Sequence, residues 1–270
     1  MPLVLGDYEK LARKGIKDFW AGRSKVLSND EEKSQGGERS AVLGGKNMDG
    51  FLAMIQQLVK RNGLRGAVIH IKGRPDLTLP GYFRPTKLWD VVVLHEGKLV
   101  AAIELKSHVG SFGNNFNNRT EEALGTAQDL LTAVRENVLG QQPMPFLGWL
   151  ILVEDHEKSR RHTTCSARHF PVFDEFLAEV DTPVEQVPEG KRKRKAKSKA
   201  PRLVSYLERY NLFCLRLMSE GLYTRAAVVA SPRDAARNGA FSDLSDETSL
   251  HAFAAGLAGH VATWATASKR

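Results

Sequence analysis

The stretch that most constrains what this chain can fold into is residues 88–107, LWDVVVLHEGKLVAAIELKS. Two short runs rich in Val, Leu and Ile flank a Gly-containing break, the pattern of a buried β-hairpin. Into these apolar runs the sequence sets Asp90, Glu104 and Lys106. Side chains of these types are seldom fully buried unless they are paired or hold a metal ion. A fold that buries the hairpin must therefore provide for them. An acid on one strand, then acid-x-Lys on the next, is a residue set suited to metal-assisted phosphodiester hydrolysis. The carboxylates hold a hard divalent cation, and the lysine orients or deprotonates water and offsets charge growing on the phosphate.

Glu104 and Lys106 stand two apart on a strand and share a face. Asp90 joins them only in one register parity. A three-residue loop, Glu96-Gly97-Lys98, sets Asp90 opposite Glu104, whereas a two-residue loop sets it opposite Ile103, so the site requires the odd loop. In that geometry Asp90, Glu104 and the backbone carbonyl of Leu105 are the candidate metal ligands, and Lys106 is the catalytic lysine. A second acid, Asp76, also lies upstream of Glu104, but in a loop punctuated by prolines, and Asp90 is the stronger candidate. Asp49, on an earlier helix, is either a further acid at the site or a first-turn residue favoured by the helix dipole.

Around the hairpin, helical and strand patterns alternate, which predicts an α/β domain. Helices are expected over 5–21, from an Asn47 cap to residue 61, over 120–137 with Leu124, Ala127, Leu131, Val134 and Val138 inward, and over 171–180, 205–222 and 248–267. Strands are expected over 67–71, 146–153 and 226–230, the second of them parallel to its neighbour across a helical crossover. Residues 24–46 and 107–119 are expected to be loops, the latter dense in Asn and Gly. The chain is expected to be a single domain over 1–270 with a basic, Pro-flanked arm at 181–201.

The net charge is +8, but the run KRKRKAKSK at 191–199 carries seven positive charges, leaving the remainder nearly neutral. This indicates one basic tract rather than a uniformly basic surface. Cys165 and Cys214 form no CxxC pair, and the N-terminus has no secretory pattern, so an intracellular protein is expected. Asn114, Asn115, Asn117, Asn118 and Arg119 follow the catalytic lysine and supply groups that read adenine and guanine edges; the alternative is that they serve turns and a helix cap. Lys158, Arg160 and Arg161, after the 146–153 strand, form a second candidate set for DNA contact. His156, His162, Cys165 and His169 have the residue types of a zinc site, in a spacing that matches no common module.

The string LWDVVVLHEGKLVAAIELKSHVGSFGNNFNNRTEEALGTAQD, with GGKNMDGF, YFRPTKLWD, FLGWLILVED, YLERYNLFCLRLMSEGLY and HAFAAGLAGHV, resembles the XhoI-type type II restriction endonucleases, a branch of the PD-(D/E)xK nuclease superfamily. The resemblance covers most of the chain. It implies a restriction-endonuclease-like core, a mixed central β-sheet flanked by helices, with Asp90, Glu104 and Lys106 in the acid, acid and lysine positions. It further implies Mg²⁺-dependent double-strand cleavage of DNA at a short palindrome, CTCGAG, leaving 5′-phosphates. A homodimer, a companion DNA methyltransferase acting on the same site and a prokaryotic cytoplasmic setting are implied as well. Trp89 stands where the superfamily often has Pro, and the 191–199 run is not a feature of the family. The alternatives are a structure-selective repair or recombination nuclease, and a non-catalytic DNA-binding module in which the three charged residues are structural.

Phosphate contacts add salt-dependent affinity without sequence information. Deleting 191–199 is therefore expected to weaken duplex binding and flatten its salt dependence while leaving the cleavage sites unchanged, as read by filter binding at several salt concentrations and by fragment mapping.

Overall fold

In the computed structural model the described residues are 2–30, 48–165, 167, 169–178 and 202–267. Ten strands are described: β1 (Val68–His70), β2 (Thr78–Pro80), β3 (Thr86–Leu88), β4 (Val91–His95), β5 (Lys98–His108), β6 (Phe146–Glu154), β7 (Thr163–Thr164), β8 (Arg202–Leu203), β9 (Arg225–Ser231) and β10 (Ser242–Asp243). Six of them form a mixed sheet in the order β1-β4-β5-β6-β9-β10. β5, β6 and β9 run parallel, and the outer pairings are antiparallel. The central strands are buried on both faces and read as continuous apolar runs, as parallel strands covered by helices must.

Each face of the sheet carries its own core. Val91, Val93, Ile103, Leu105, Leu150 and Val229 pack on one side against α1 (Tyr8–Asp30), α2 (Asp49–Arg61) and α5 (Leu250–Ala267). Val92, Ala102, Trp149, Ile151 and Val228 pack on the other against α3 (Phe112–Arg135) and α4 (Tyr206–Ser219). Ser205 and Glu208 close a reciprocal capping box at the start of α4, which satisfies two amide donors that the first helical turn leaves without partners.

Several boundaries differ from those read in the sequence. α1 continues to Asp30. The Asn47 cap, residues 31–47 and the 181–201 arm lie outside the described residues. Over 171–180 the described chain forms a single 3-10 turn, Asp174–Phe176, instead of a helix. The largest difference is at α3, which begins at Phe112 and takes in the Asn-rich segment expected to be a loop. One Gly and four Asn there cost roughly 3–4 kcal/mol relative to Ala. Phe112 and Phe116, one turn apart, pack on Tyr206, Tyr210 and Phe213, and burying such rings contributes roughly 1.5–3 kcal/mol each. Tertiary packing therefore outweighs local propensity. Farther along α3 the buried stripe is Ala123, Ala127, Leu130 and Val134, so that Leu124 and Val138 are exposed.

The hairpin carries the decisive correction. Its loop is the even one: His95 pairs with Lys98, and Glu96 and Gly97 both have positive φ, +50° and +74°, the two-residue turn whose twist matches the strands. Continued regularly, that register would set Asp90 opposite Ile103. Between Leu94↔Leu99 and Val93↔Ala101, however, β5 carries one extra residue, Val100. This β-bulge restores the odd parity, and Val91 then pairs with Ile103, so that Asp90 lies level with Glu104. Side chains satisfy the backbone groups at this interruption: His260 Nε2 lies 3.1 Å from the Val100 carbonyl, and Leu99 N–H donates to Gln142 Oε1 at 3.0 Å. Because a carbonyl only accepts, His260 carries its proton on Nε2. Replacing His260 with Leu strands that carbonyl in the core and is expected to cost about 1–3 kcal/mol of unfolding free energy in urea titrations, with cleavage activity falling further than the folded fraction does.

Candidate active site

The C-terminal half of β5 points Glu104, Lys106 and His108 to the face covered by α3 and α4, since alternate residues of a strand share a face. Asp90 reaches them from the residue before β4. Its Oδ2 accepts the Leu105 N–H at 2.8 Å and lies 3.5 Å from Lys106 Nζ. Lys106 also bonds Glu104 Oε2 directly. The structure thus brings Asp90, Glu104, Leu105 and Lys106 together, with the Glu104 side chain only 3% exposed and Asp90 at 40% forming the open side. Burial raises the Asp90 pKa, reinforced by Glu104 and opposed by Lys106. Burial works against the Lys106 ammonium, but Glu104 and Asp90 outweigh it and hold its pKa above the ordinary lysine value. Asp76 stands apart, 57% exposed and 3.9 Å from His70.

Two carboxylates aimed at one ammonium form a donor set that fits a hard divalent cation, which commonly takes one or two carboxylates and completes its shell with waters and phosphate oxygens. No group of three or more His, Cys, Asp or Glu placed to hold a metal occurs among the described residues, so an ion here would depend on these two.

Four features of the site were not read from the sequence. Lys87 on β3 donates to Glu104 Oε1 at 2.7 Å, giving that carboxylate a second ammonium. The β2–β3 hairpin that presents Lys87 is clamped to α3 by Asp129, whose carboxylate accepts the Tyr82 and Phe83 amides at 2.9 and 2.7 Å and Arg84 Nε at 2.8 Å. Gly81 is required at this clamp because a Cβ there would lie 2.4 Å from Asp129 Oδ2 and 2.7 Å from the Arg84 carbonyl. Next to Lys106 on the same face, His108 is buried, and its Nδ1 lies 2.6 Å from the Tyr210 hydroxyl; burial lowers its pKa to about 4. Finally Glu154, ending β6, is 2% exposed and accepts Gly110 N–H and Arg233 Nε, which ties the turn after Lys106 to the far side of the sheet. Glu154 carried a weaker signal than Glu104, because it ends the apolar run and opens a polar stretch. Lys87 and Asp129 carried none, because their partners are distant in sequence.

The candidate DNA-contact residues fall into two neighbouring groups. Asn114, Asn115, Asn117, Asn118 and Arg119 lie on the first turns of α3, with Asn117 and Asn118 exposed. Arg119 pairs with Glu122, and its charge acts on Lys106 and His108. Lys158, Arg160 and Arg161 line an open groove of about 780 Å³ with Phe112, Gly113 and Arg202. Lys158, Arg160 and Arg161 are all exposed, and Arg160 is in addition held by both oxygens of Asp155.

A six-stranded mixed sheet flanked by helices, with an acid, an acid and a lysine gathered at its antiparallel β4–β5 pair, is compatible with a restriction-endonuclease-like fold. The sequence model for the restriction endonuclease XhoI matches residues 28–180 and 197–243. The chain is 56% identical over 233 residues to a type II restriction enzyme XhoI from Xanthomonas vasicola, covering 86% of this chain and 84% of the relative. It is 54% identical over 173 residues to a type II restriction enzyme AbrI from Azospirillum brasilense, covering 63% of this chain and 77% of the relative. To a type II restriction enzyme BstVI from Geobacillus stearothermophilus it is 37% identical over 233 residues, covering 84% of this chain and 92% of the relative. No solved structure matches. The chain belongs to the XhoI restriction endonuclease family. It is a type II restriction endonuclease, a site-specific deoxyribonuclease that acts on double-stranded DNA, and enzymes of this type generally need a divalent metal ion.

The Asp129 clamp has a pH signature. Although burial opposes it, the hydrogen bonds from Phe83, Arg84 and Tyr82 hold the Asp129 pKa below the usual carboxylate value. Its contribution to stability is therefore complete above the unfolded value of about 4 and is lost as pH falls through the lower folded value. Asp129→Ala is expected to cost about 2–3 kcal/mol at neutral pH, with the difference from the parent shrinking in acid-range urea titrations.

Proposed function

We propose that Asp90 and Glu104 bind Mg²⁺, with the Leu105 carbonyl as a third ligand, and that Lys106 is the catalytic lysine of double-strand cleavage at CTCGAG. The observation that carries this is the convergence of both carboxylates on the Lys106 ammonium across a bulged hairpin. When bound, the ion supplies Lewis acidity at the phosphate and lowers the pKa of a ligated water. The chain's own residues do the remainder. Asp90 is oriented by the Leu105 amide. Glu104, sealed at the base of the site, is held between two ammoniums. Lys106 faces both acids and sits where it can orient the attacking water and offset charge on the phosphate. In-line attack breaks the P–O bond on the sugar 3′ side and leaves a 5′-phosphate.

Duplex recognition is assigned to the first turns of α3 and to the adjoining basic groove. Asn115, Asn117, Asn118 and Arg119 supply base-reading groups, with Asn114 in the same run, while Lys158, Arg160 and Arg161 track phosphate. A palindromic target calls for a two-fold homodimer, and host DNA bearing that site calls for a companion methyltransferase. A prokaryotic cytoplasmic setting fits these roles. No described helix is long and apolar enough to cross a membrane.

The test is digestion of a defined plasmid with Mg²⁺ by the parent protein and by Glu104→Ala and Lys106→Ala. Discrete fragments ending at CTCGAG are expected from the parent, with rates reduced at least about 10³-fold in both variants and duplex binding retained. Cutting confined to flaps or junctions indicates the repair-nuclease alternative. Undiminished cutting by either variant refutes the assigned roles.

A further inference from the structure

Lys87 stands outside the acid, acid and lysine set, yet it makes as direct a contact with Glu104 as Lys106 does. The two oxygens of this sealed carboxylate are divided between them, Oε1 to Lys87 at 2.7 Å and Oε2 to Lys106. A cation that ligates Glu104 competes with these two ammoniums for its oxygens and repels both of them. The two lysines are not equivalent in this respect. Lys106 also contacts Asp90 Oδ2, a bond it can keep when a cation takes the other oxygen of that carboxylate. Among the described residues Lys87 has no second carboxylate within hydrogen-bonding range; its other contacts are the Leu88 carbonyl at 2.5 Å and the face of Trp89, 5.5 Å from the ring centroid. Lys87, which acts on Asp90 only through its charge, is therefore the ammonium more readily displaced.

Its surroundings limit where it can go. The hairpin that carries it is fixed to α3 through Asp129, so the ammonium moves by rotation of its own stem. Its side chain is 20% exposed, like that of Lys106, beside the open edge marked by Asp90. Charge supplies the direction. Two carboxylates and two ammoniums sum to zero; a bound dication makes the site doubly positive and draws in a phosphodiester, the nearest new anion for a displaced lysine.

We propose that Lys87 is a substrate-contact residue that neutralises Glu104 until a divalent cation takes that carboxylate, and then bonds a non-bridging oxygen of the phosphate being cut. The proposal rests on Asp90 and Glu104 as the cation's ligands. It makes two measurements move in opposite directions, which a merely structural lysine would not do.

The test uses the full-length protein with Lys87→Met and Lys87→Arg. Free Mn²⁺ is followed by electron paramagnetic resonance without DNA, and single-turnover cleavage of a duplex is followed at saturating Mg²⁺. Removing the competing ammonium in Lys87→Met is expected to tighten Mn²⁺ binding about threefold to tenfold. Losing the phosphate contact is expected to lower the maximal cleavage rate about tenfold or more. Lys87→Arg is expected to retain most of the rate. Mn²⁺ binding that is unchanged or weaker in Lys87→Met, or an unchanged maximal rate, overturns the proposal, and so does a parallel loss of both with a lowered melting temperature. Glu104→Ala separates the two levels. If it binds Mn²⁺ as the parent does, the carboxylates are not the ligands; if it loses binding while Lys87→Met behaves as the parent, only the role of Lys87 fails.

Discussion

The structure depends on placing two carboxylates level with each other inside a hairpin that is otherwise apolar. An isolated buried carboxylate is costly enough that it would take up a proton rather than remain charged. Here Asp90 has the Leu105 amide and Lys106, and Glu104 has two ammoniums. The same arrangement that makes the charges tolerable in the core also aims them at one point, as a metal-dependent nuclease requires. Paired burial and function are in this case one constraint.

That constraint propagates outward through the bulge at Val100. A two-residue turn has the twist the strands need but delivers the wrong parity, and one extra residue in β5 corrects it. The interruption leaves backbone groups to be satisfied, which brings in His260 from the last helix and Gln142 from the loop before β6. On the other side, Asp129 of α3 fixes the hairpin bearing Lys87, and Glu154 fixes the turn that launches α3. Elements far apart in the chain are thus tied to the positions of two carboxylates.

Much of this was legible in the sequence because burial and period are local signals. The apolar run of β6, the alternation of helices and strands, and three charges set among Val and Ile can all be read within a short window. The choice of Asp90 over Asp76 follows from strand context alone; in the structure Asp90 lies beside Lys106 and the Leu105 amide, and Asp76 is exposed near His70. What could not be read depends on distant partners. The start of α3 at Phe112 is decided by aromatic rings on α4, against the local preference of Asn and Gly. The parity of the hairpin was correctly required, but its source was assigned to the loop, because no residue type marks a bulge as clearly as Gly marks a turn. Lys87 and Asp129 are ordinary surface residue types until the fold brings Glu104 and the Tyr82-Phe83 amides to them.

The most direct measurement of whether these residues form one cation site is paramagnetic broadening of amide resonances as Mn²⁺ is added to the DNA-free protein. The expected result is that the amides of Asp90, Leu105 and Lys106 disappear first, at substoichiometric ion, and that Glu104→Ala abolishes the effect. Broadening centred elsewhere, or unchanged in Glu104→Ala, would contradict the placement of the metal between the two carboxylates.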